Sequence, residues 1–283
     1  MHGDGDGWTT CSLGHRHWGL QGAAGLLLRW VGPDGARVLL QHRAAWSHHG
    51  DTWGLPGGAR DSHESPEQAA LREAAEEAGL DPATVRVRGR HRDDHVGWCY
   101  DTVVADVAAP ATPVAQHESA ALVWVPEGEV TARAVHPGFA LTWPRLAAPL
   151  VTLIVDGANV VGSRPDGWWH DRLGAARRLR DELAILPATV RAGPGGGWLS
   201  VGAVVLVVEG RAAALASESD SFETVRVVAA GRDEDGDDRV VSVAGQVPSP
   251  VVVTADRGLR ARVPAATVAG PGWLRGLLEP AGS

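Results

Sequence analysis

From Gly22 to Gln41 the chain reads GAAGLLLRWVGPDGARVLLQ, two apolar runs on either side of Pro-Asp-Gly. Strand-like runs around turn chemistry predict a β-hairpin with its turn at Gly32–Gly35. Further strands are expected at TVRVRGRH, YDTVVADVA and ESAALVWVP. Between them, GGARDSHESPEQAALREAAEEAGL changes to a helical rhythm. Ser65 is a natural N-cap, Pro66 suits the first helical position, Gln68 completes a capping box and Gly79 supplies a left-handed stop. On that helix Leu71, Ala74 and Ala78 fall on one side, and Glu73, Glu76 and Glu77 on the other.

The rhythm changes again after HPGFALTWPRLAAPL, whose three prolines mark a boundary near Ala147. Beyond it VTLIVDGAN, AVVLVVEG, TVRVVAA and PVVVTADRGL are short continuous apolar runs, with the helical GAARRLRDELAIL after the first. Such runs alternating with helices predict a parallel sheet covered on both faces. The expected organisation is a flexible leader over 1–13, a domain of α+β pattern over 14–147 and an α/β domain over 148–283. The Gly-rich GPGGGW, Gly193 to Trp198, reads as a surface loop.

Charge and composition narrow the chemistry. A net charge of -8 argues against a globally basic nucleic-acid coat, although local arginines can still grip phosphate. Lysine is absent from the sequence, so a Walker-type phosphate loop is excluded. Two cysteines, Cys11 and Cys99, make no disulfide framework and no CxxC zinc motif. With no apolar run long enough to cross a bilayer, a soluble protein of the reducing cytoplasm is expected, without membrane partners; the oligomeric state is left open.

The acidic side of the first helix calls for an explanation. Its one cation is Arg72, beside Glu73, so the carboxylates repel one another unless a divalent cation relieves them. Magnesium or manganese does so and bridges to substrate phosphates. The spacing Gly58, five residues, Glu64, seven residues, then Arg72-Glu73-Ala74-Ala75-Glu76-Glu77-Ala78-Gly79-Leu80 resembles the Nudix hydrolase signature, with Ala74 where a larger aliphatic is usual. TWGLPGG and WVPEGEV are also similar to the family.

That resemblance implies an α/β/α sandwich with a mixed sheet, which hydrolyses a nucleoside diphosphate linked to another group. It makes Glu76 and Glu77 metal ligands with the Gly57 carbonyl, and Glu73 a ligand or the group that deprotonates the attacking water. Arg72 would hold Glu73, Glu64 would lie at the site's edge, and Glu118 is a further candidate ligand or base. The expected substrate is a nucleoside triphosphate, oxidised or not, cleaved to the monophosphate and pyrophosphate. ADP-ribose or another nucleotide conjugate is the alternative, and a nucleotide- or RNA-binding sensor without turnover is a second. Trp18, Trp46 and Trp53 could stack on a base, although packing is the commoner fate of tryptophan. His91 and His95 stand four apart, but the intervening RDD does not suit a zinc-binding helix, and His48-His49 reads as an exposed loop.

In the second half acids end the apolar runs: Asp156, Glu209 and Asp256, with Asp237 and Asp238 after an acidic loop. In a parallel sheet these positions can converge at the carboxyl ends of the strands, although any one of them could simply cap the following helix. DGAN, the Gly-Asp-Asp of 236–238 and TADRGL resemble PIN-like (NYN) metal-dependent ribonuclease domains. The resemblance implies Asp156, Asp237, Asp238 and Asp256 as metal ligands, Asn159 and Arg164 as substrate contacts, and single-stranded RNA as partner. Glu209 stands where such domains often carry an aspartate.

Overall fold

The computed structural model describes residues 3–114, 119–218 and 224–279. The chain divides into two compact units, Met1–Ala148 and Pro149–Ser283.

In the first unit a small hairpin of β1 (Trp8–Thr10) and β2 (Arg16–Trp18) precedes the main sheet. That sheet contains β3 (Ala23–Gly32), β4 (Gly35–Arg43), β5 (Trp53–Gly54), β6 (Gly57–Ala59), β7 (Arg86–Asp94), β8 (Cys99–Asp106) and β9 (Ser119–Pro126). β3 runs parallel to β8, while the other pairings are antiparallel, so the sheet is mixed. The expected turn joins β3 to β4, where Gly35 takes φ +114°. Helix α1 (Pro66–Ala78) begins on the Ser65–Gln68 capping box and ends on left-handed Gly79. Ala69, Ala70, Ala74 and Ala78 face Leu26, Leu28, Val103 and Ala105 of the sheet. These small side chains bring the α1 backbone close to β3, and Ala74 fits this contact without a larger aliphatic.

Two segments of this unit carry structure that their composition did not announce. Among its described residues the leader over 1–13 is hydrogen-bonded to the rest of the unit. Gly5 N–H donates to Asp61 Oδ1 at 2.8 Å, Ser62 N–H to Asp4 Oδ1 at 2.8 Å, and Leu20 N–H to the Gly5 carbonyl at 2.8 Å. Its anchor therefore lies far along the sequence, in the loop before α1. The proline-bearing boundary segment is a helix, α2 (Pro137–Leu146). Pro137 occupies its first turn, where proline is tolerated, and Phe139, Trp143 and Leu146 bury one helical stripe. Its C-terminal carbonyl at Leu146 accepts from the fully buried Arg29, which also pairs with Glu127 at 2.8 Å.

The second unit contains β10 (Leu150–Asp156), α3 (Gly157–Gly162), α4 (Arg172–Leu183), β11 (Thr189–Ala192), β12 (Trp198–Val208), β13 (Val225–Ala229), α5 (Gly236–Ala244), β14 (Pro250–Val253), α6 (Arg257–Arg262), β15 (Thr267–Ala269) and α7 (Pro271–Leu278). The parallel strands lie in the order β13–β12–β10–β14–β15, which is 3-2-1-4-5 in order of appearance. β11 adds antiparallel to the early part of β12, and GPGGGW forms the turn between them, with Gly196 and Gly197 at positive φ. Alternate residues of β10 serve opposite faces: Leu153 and Val155 pack with Leu179 and Leu183 of α4, whereas Ile154 packs with Val240 of α5 and Leu259 of α6. Burial on both faces explains the unbroken apolar run in the sequence. Among the described residues no helix is long and apolar enough to cross a membrane.

Candidate active site and acidic cluster

The carboxylates of α1 stand beside the Gly57-Gly58 turn into β6. Glu77, 9% exposed, accepts from the Gly57 N–H at 2.8 Å and from Gln41 Nε2 at 3.1 Å. Gln41 also donates to Ser119 Oγ at 2.7 Å, so β4 and β9 both fix the Glu77 carboxylate. Glu73 lies under Gly58, where an added Cβ would fall 2.5 Å from Glu73 Oε1. The glycine leaves room for the Glu73 carboxylate at this position. Glu76 extends outward, its side chain 62% exposed.

Arg72 joins the group. Its Nε and Nη2 donate to the two oxygens of Glu64 at 2.7 and 3.0 Å, its Nη2 also reaches the Ala59 carbonyl at 3.0 Å, and its Nη1 donates to Glu73 Oε1 at 2.8 Å. A fifth contact, to Glu76 Oε2, is 3.3 Å. The guanidinium is thus held chiefly by Glu64, and offers Glu73 one edge of the fork. The hydrogen bonds from Arg72 hold the Glu64 carboxyl below its ordinary range, while those to Glu64 keep Arg72 protonated more firmly than usual. Glu64 is therefore the anchor of Arg72 rather than a peripheral group.

Two neighbours of this site carried no sequence signal. One is Gln41, which reads as one more residue of an apolar strand. The other is Tyr100 on β8, whose hydroxyl a Cβ at Gly25 would overlap. Burial, then the charges of Glu77 and Glu73, push its phenol well above the ordinary value. Glu118 lies outside the described residues. Trp46 is exposed and Trp18 partly so, whereas Trp53 stacks on His42 with centroids 4.7 Å apart and lies under the Arg133 guanidinium at 4.5 Å.

Glu73, Glu76 and Glu77 share one helical stretch beside the backbone of two glycines. Carboxylate oxygens are the donor type that divalent cations of the magnesium or manganese kind take.

In the second unit Asp156 ends β10, Glu209 follows β12, Asp256 follows β14 and Asp237 lies in the first turn of α5. Burial raises the Asp156 carboxyl above its usual value, and the charges of Glu209 and Asp256 add to the effect. Asp237 is raised by burial and then by Asp156 and Asp256. Asp156 therefore lies in the field of Glu209 and Asp256, and Asp237 in that of Asp156 and Asp256. These acids cluster at the carboxyl ends of the strands, where the order reverses between β10 and β14, the usual ligand crevice of such sheets.

Asp156 and Asp256 are also helix caps, accepting from Asn159 N–H at 3.1 Å and Leu259 N–H at 2.8 Å. Thr254 Oγ1, fully buried, donates to Asp156 Oδ2 at 2.8 Å and accepts from Asp256 N–H at 3.1 Å. Asn159 Oδ1 accepts from Ala255 N–H at 2.8 Å, which ties α3 to the β14 turn.

Two residues expected at this cluster are engaged in ion pairs. Asp238 pairs with Arg262, whose charge also reaches Asp237. Arg164 forms a two-bond fork with Glu182, at 3.0 and 2.8 Å, so its head serves a local ion pair. Glu209 has its place near Asp156 and accepts from Gly236 N–H at 2.8 Å.

A family model described as the NUDIX domain matches residues 21–143. The chain belongs to the Nudix family, and it is a hydrolase of phosphoanhydride bonds. It is 52% identical over 160 residues to the Mycobacterium tuberculosis protein named "Putative 8-oxo-dGTP diphosphatase 3", covering 54% of this chain and 74% of that one. It is 44% identical over 156 residues to a nucleoside triphosphate pyrophosphatase/Nudix hydrolase fusion protein of Bifidobacterium longum, covering 53% of this chain and 32% of that one. Among solved structures, the Nudix hydrolase RenU of M. smegmatis is 53% identical, over 50% of this chain and 92% of that one, with a TM-score of 0.47.

Proposed function

We propose that the first unit hydrolyses a nucleoside triphosphate, oxidised purine forms included, to the monophosphate and pyrophosphate. The observation that carries the reading is the α1 ridge, Glu73, Glu76 and Glu77, set beside Gly57-Gly58 and tied by Arg72 to Glu64. The name of the M. tuberculosis relative supports the substrate class. Glu76 and Glu77 would hold magnesium or manganese. When bound, that ion neutralises phosphate charge and makes water more acidic.

Glu73 takes the proton from the attacking water, and Arg72 keeps its carboxylate oriented and ionised. The water oxygen forms the new bond to phosphorus as the bridging oxygen leaves with pyrophosphate. The test is a panel of canonical and oxidised nucleoside triphosphates, with ADP-ribose as the conjugate, assayed with magnesium. Glu76→Gln combined with Glu77→Gln should reduce turnover on the preferred substrate by at least about 1,000-fold, since electrostatic stabilisation of this kind is worth that order. Undiminished turnover in the double variant would remove the site assignment. Preference for ADP-ribose would replace the substrate.

For the second unit we propose a PIN-like metal-dependent nuclease acting on single-stranded RNA. Support comes from the 3-2-1-4-5 strand order and from the grouping of Asp156, Asp237 and Asp256 with Glu209 at its reversal point. Such a set of acids can hold hard cations against a phosphodiester. Cleavage of a single-stranded RNA with manganese should fall by at least about 100-fold in Asp156→Asn. Equal cleavage by wild type and variant, or none by either, would leave the unit as a binding module.

A further inference from the structure

The N-terminal hairpin places a thiol and two imidazoles against a third imidazole from a distant turn. Cys11 follows β1, His15 precedes β2, His17 lies within β2, and His95 follows β7. One ligand atom from each of the four lies within 4.8 Å of every other. Cys11 is 5% exposed. The bland reading is a packed aromatic cluster with a small buried thiol, and His17 does stack on Trp98, centroids 4.0 Å apart and planes 9° off parallel. That reading fails at one atom. The Nε2 of His17 is buried with no hydrogen-bond partner, a condition a satisfied core histidine avoids.

The backbone is arranged to bring these groups together. Cys11 N–H donates to the His15 carbonyl at 3.0 Å and Gly14 N–H to the Cys11 carbonyl at 2.9 Å, which folds His15 back over the thiol. Ser12 N–H donates to the Val96 carbonyl at 2.9 Å, and His95 N–H to the Trp98 carbonyl at 2.8 Å, so the two turns are joined where the side chains meet. Val96 sits at φ +56°, a left-handed conformation costly for a β-branched residue, and Gly97 follows at +92°. Strain of this kind persists only where its surroundings hold it.

We propose that Cys11, His15, His17 and His95 form a closed, four-ligand structural zinc site, separate from the carboxylate ridge of α1. One sulfur and three nitrogens are donors zinc takes, and tetrahedral zinc holds such atoms about 3.3–3.6 Å apart, within reach of a cluster already this tight. The Cys11 thiol gives its proton to solvent as the Zn–S bond forms, and no electrons are exchanged. The ion fastens the β1–β2 hairpin to the β7–β8 turn. The carboxylate ridge has no sulfur, and this site has no carboxylate, so the two sort metals by softness.

The full-length chain, purified without chelator and dialysed, should retain about 1 zinc per chain by elemental mass spectrometry. Cobalt(II) replacing that zinc should give the intense d–d absorption of a tetrahedral centre together with a sulfur-to-cobalt charge-transfer band. Cys11→Ser should abolish the charge-transfer band. His15→Ala, at an exposed position where truncation spares the fold, should weaken zinc binding by at least about 100-fold. Zinc content below about 0.1 per chain with only weak, octahedral cobalt absorption would overturn the proposal. A charge-transfer band that survives Cys11→Ser would also do so, because it would place the metal on Cys99.

Discussion

Replacing Gly58 with alanine separates folding from catalysis. Gly58 does not lie at positive φ, so an alanine meets no backbone penalty there. The new Cβ would sit 2.5 Å from Glu73 Oε1, 2.7 Å from its Cδ and 3.0 Å from Oε2, whereas ordinary contact begins at 3.4 Å. The carboxylate must therefore retreat by about 0.9 Å, the difference between 3.4 and 2.5 Å. A flexible glutamate does this at little cost to the fold, and stability should change by less than about 0.5 kcal/mol, or about 2 °C in midpoint. The same movement pulls Glu73 from its 2.8 Å contact with Arg72 and so from the position in which it is proposed to take a proton from water. A misplacement near 1 Å costs on the order of 100-fold in rate, equivalent to about 2.7 kcal/mol. Steady-state hydrolysis of the preferred nucleotide, with calorimetry on the same samples, checks both halves. A variant within about threefold of wild-type kcat would refute the positioning argument, because it would show that the Glu73 location is unimportant.

Other consequences concern stability. Thr254→Val keeps the shape of a fully buried side chain but strips a donor from Asp156 and an acceptor from Asp256 N–H. It should destabilise the second unit by about 1–3 kcal/mol, lowering its thermal midpoint by about 3–10 °C. An unchanged melt would mean that water replaces the hydroxyl. His136 is pushed down to about 4 by burial and by the neighbouring His49, Arg43 and His48. Since an unfolded histidine titrates near 6.5, the unfolded chain takes up a proton that the folded chain resists, so stability declines as pH falls from about 6.5 toward 4. His136→Asn keeps an acceptor for the Gly138 N–H and should flatten that decline, read as midpoint against pH. Parallel curves for the two proteins would rule this out.

The contrast between what could and could not be read in advance follows sequence distance. Helix α1 was legible because its cap, first-turn proline, alanine face and left-handed stop are all local. The strands of the second unit were legible because burial on both faces removes polar residues from them. Helix α2 was hidden by its prolines, although the Phe139, Trp143 and Leu146 stripe was present. The hairpin of β1 and β2 was hidden because its anchors, Asp61 and Val96, are supplied by segments far along the chain. At the site, the glutamates announced themselves by spacing. Gln41 and Tyr100 did not, because a polar residue on a buried strand acquires meaning only from what folds against it. The pairing of Asp238 with Arg262 was not legible either, because its partner lies 24 residues further along the chain.

The double employment of Asp156 and Asp256 has an evolutionary corollary. Each keeps a helix start in place independently of any chemistry at the cluster, so under the proposed nuclease reading a descendant without cleavage would still be selected to preserve both. Asp235 does the capping for α5, which frees Asp237 from that duty. On that proposed reading, drift at position 237 in a lineage would be the earliest record of lost cleavage, while its two neighbours in the cluster stayed silent.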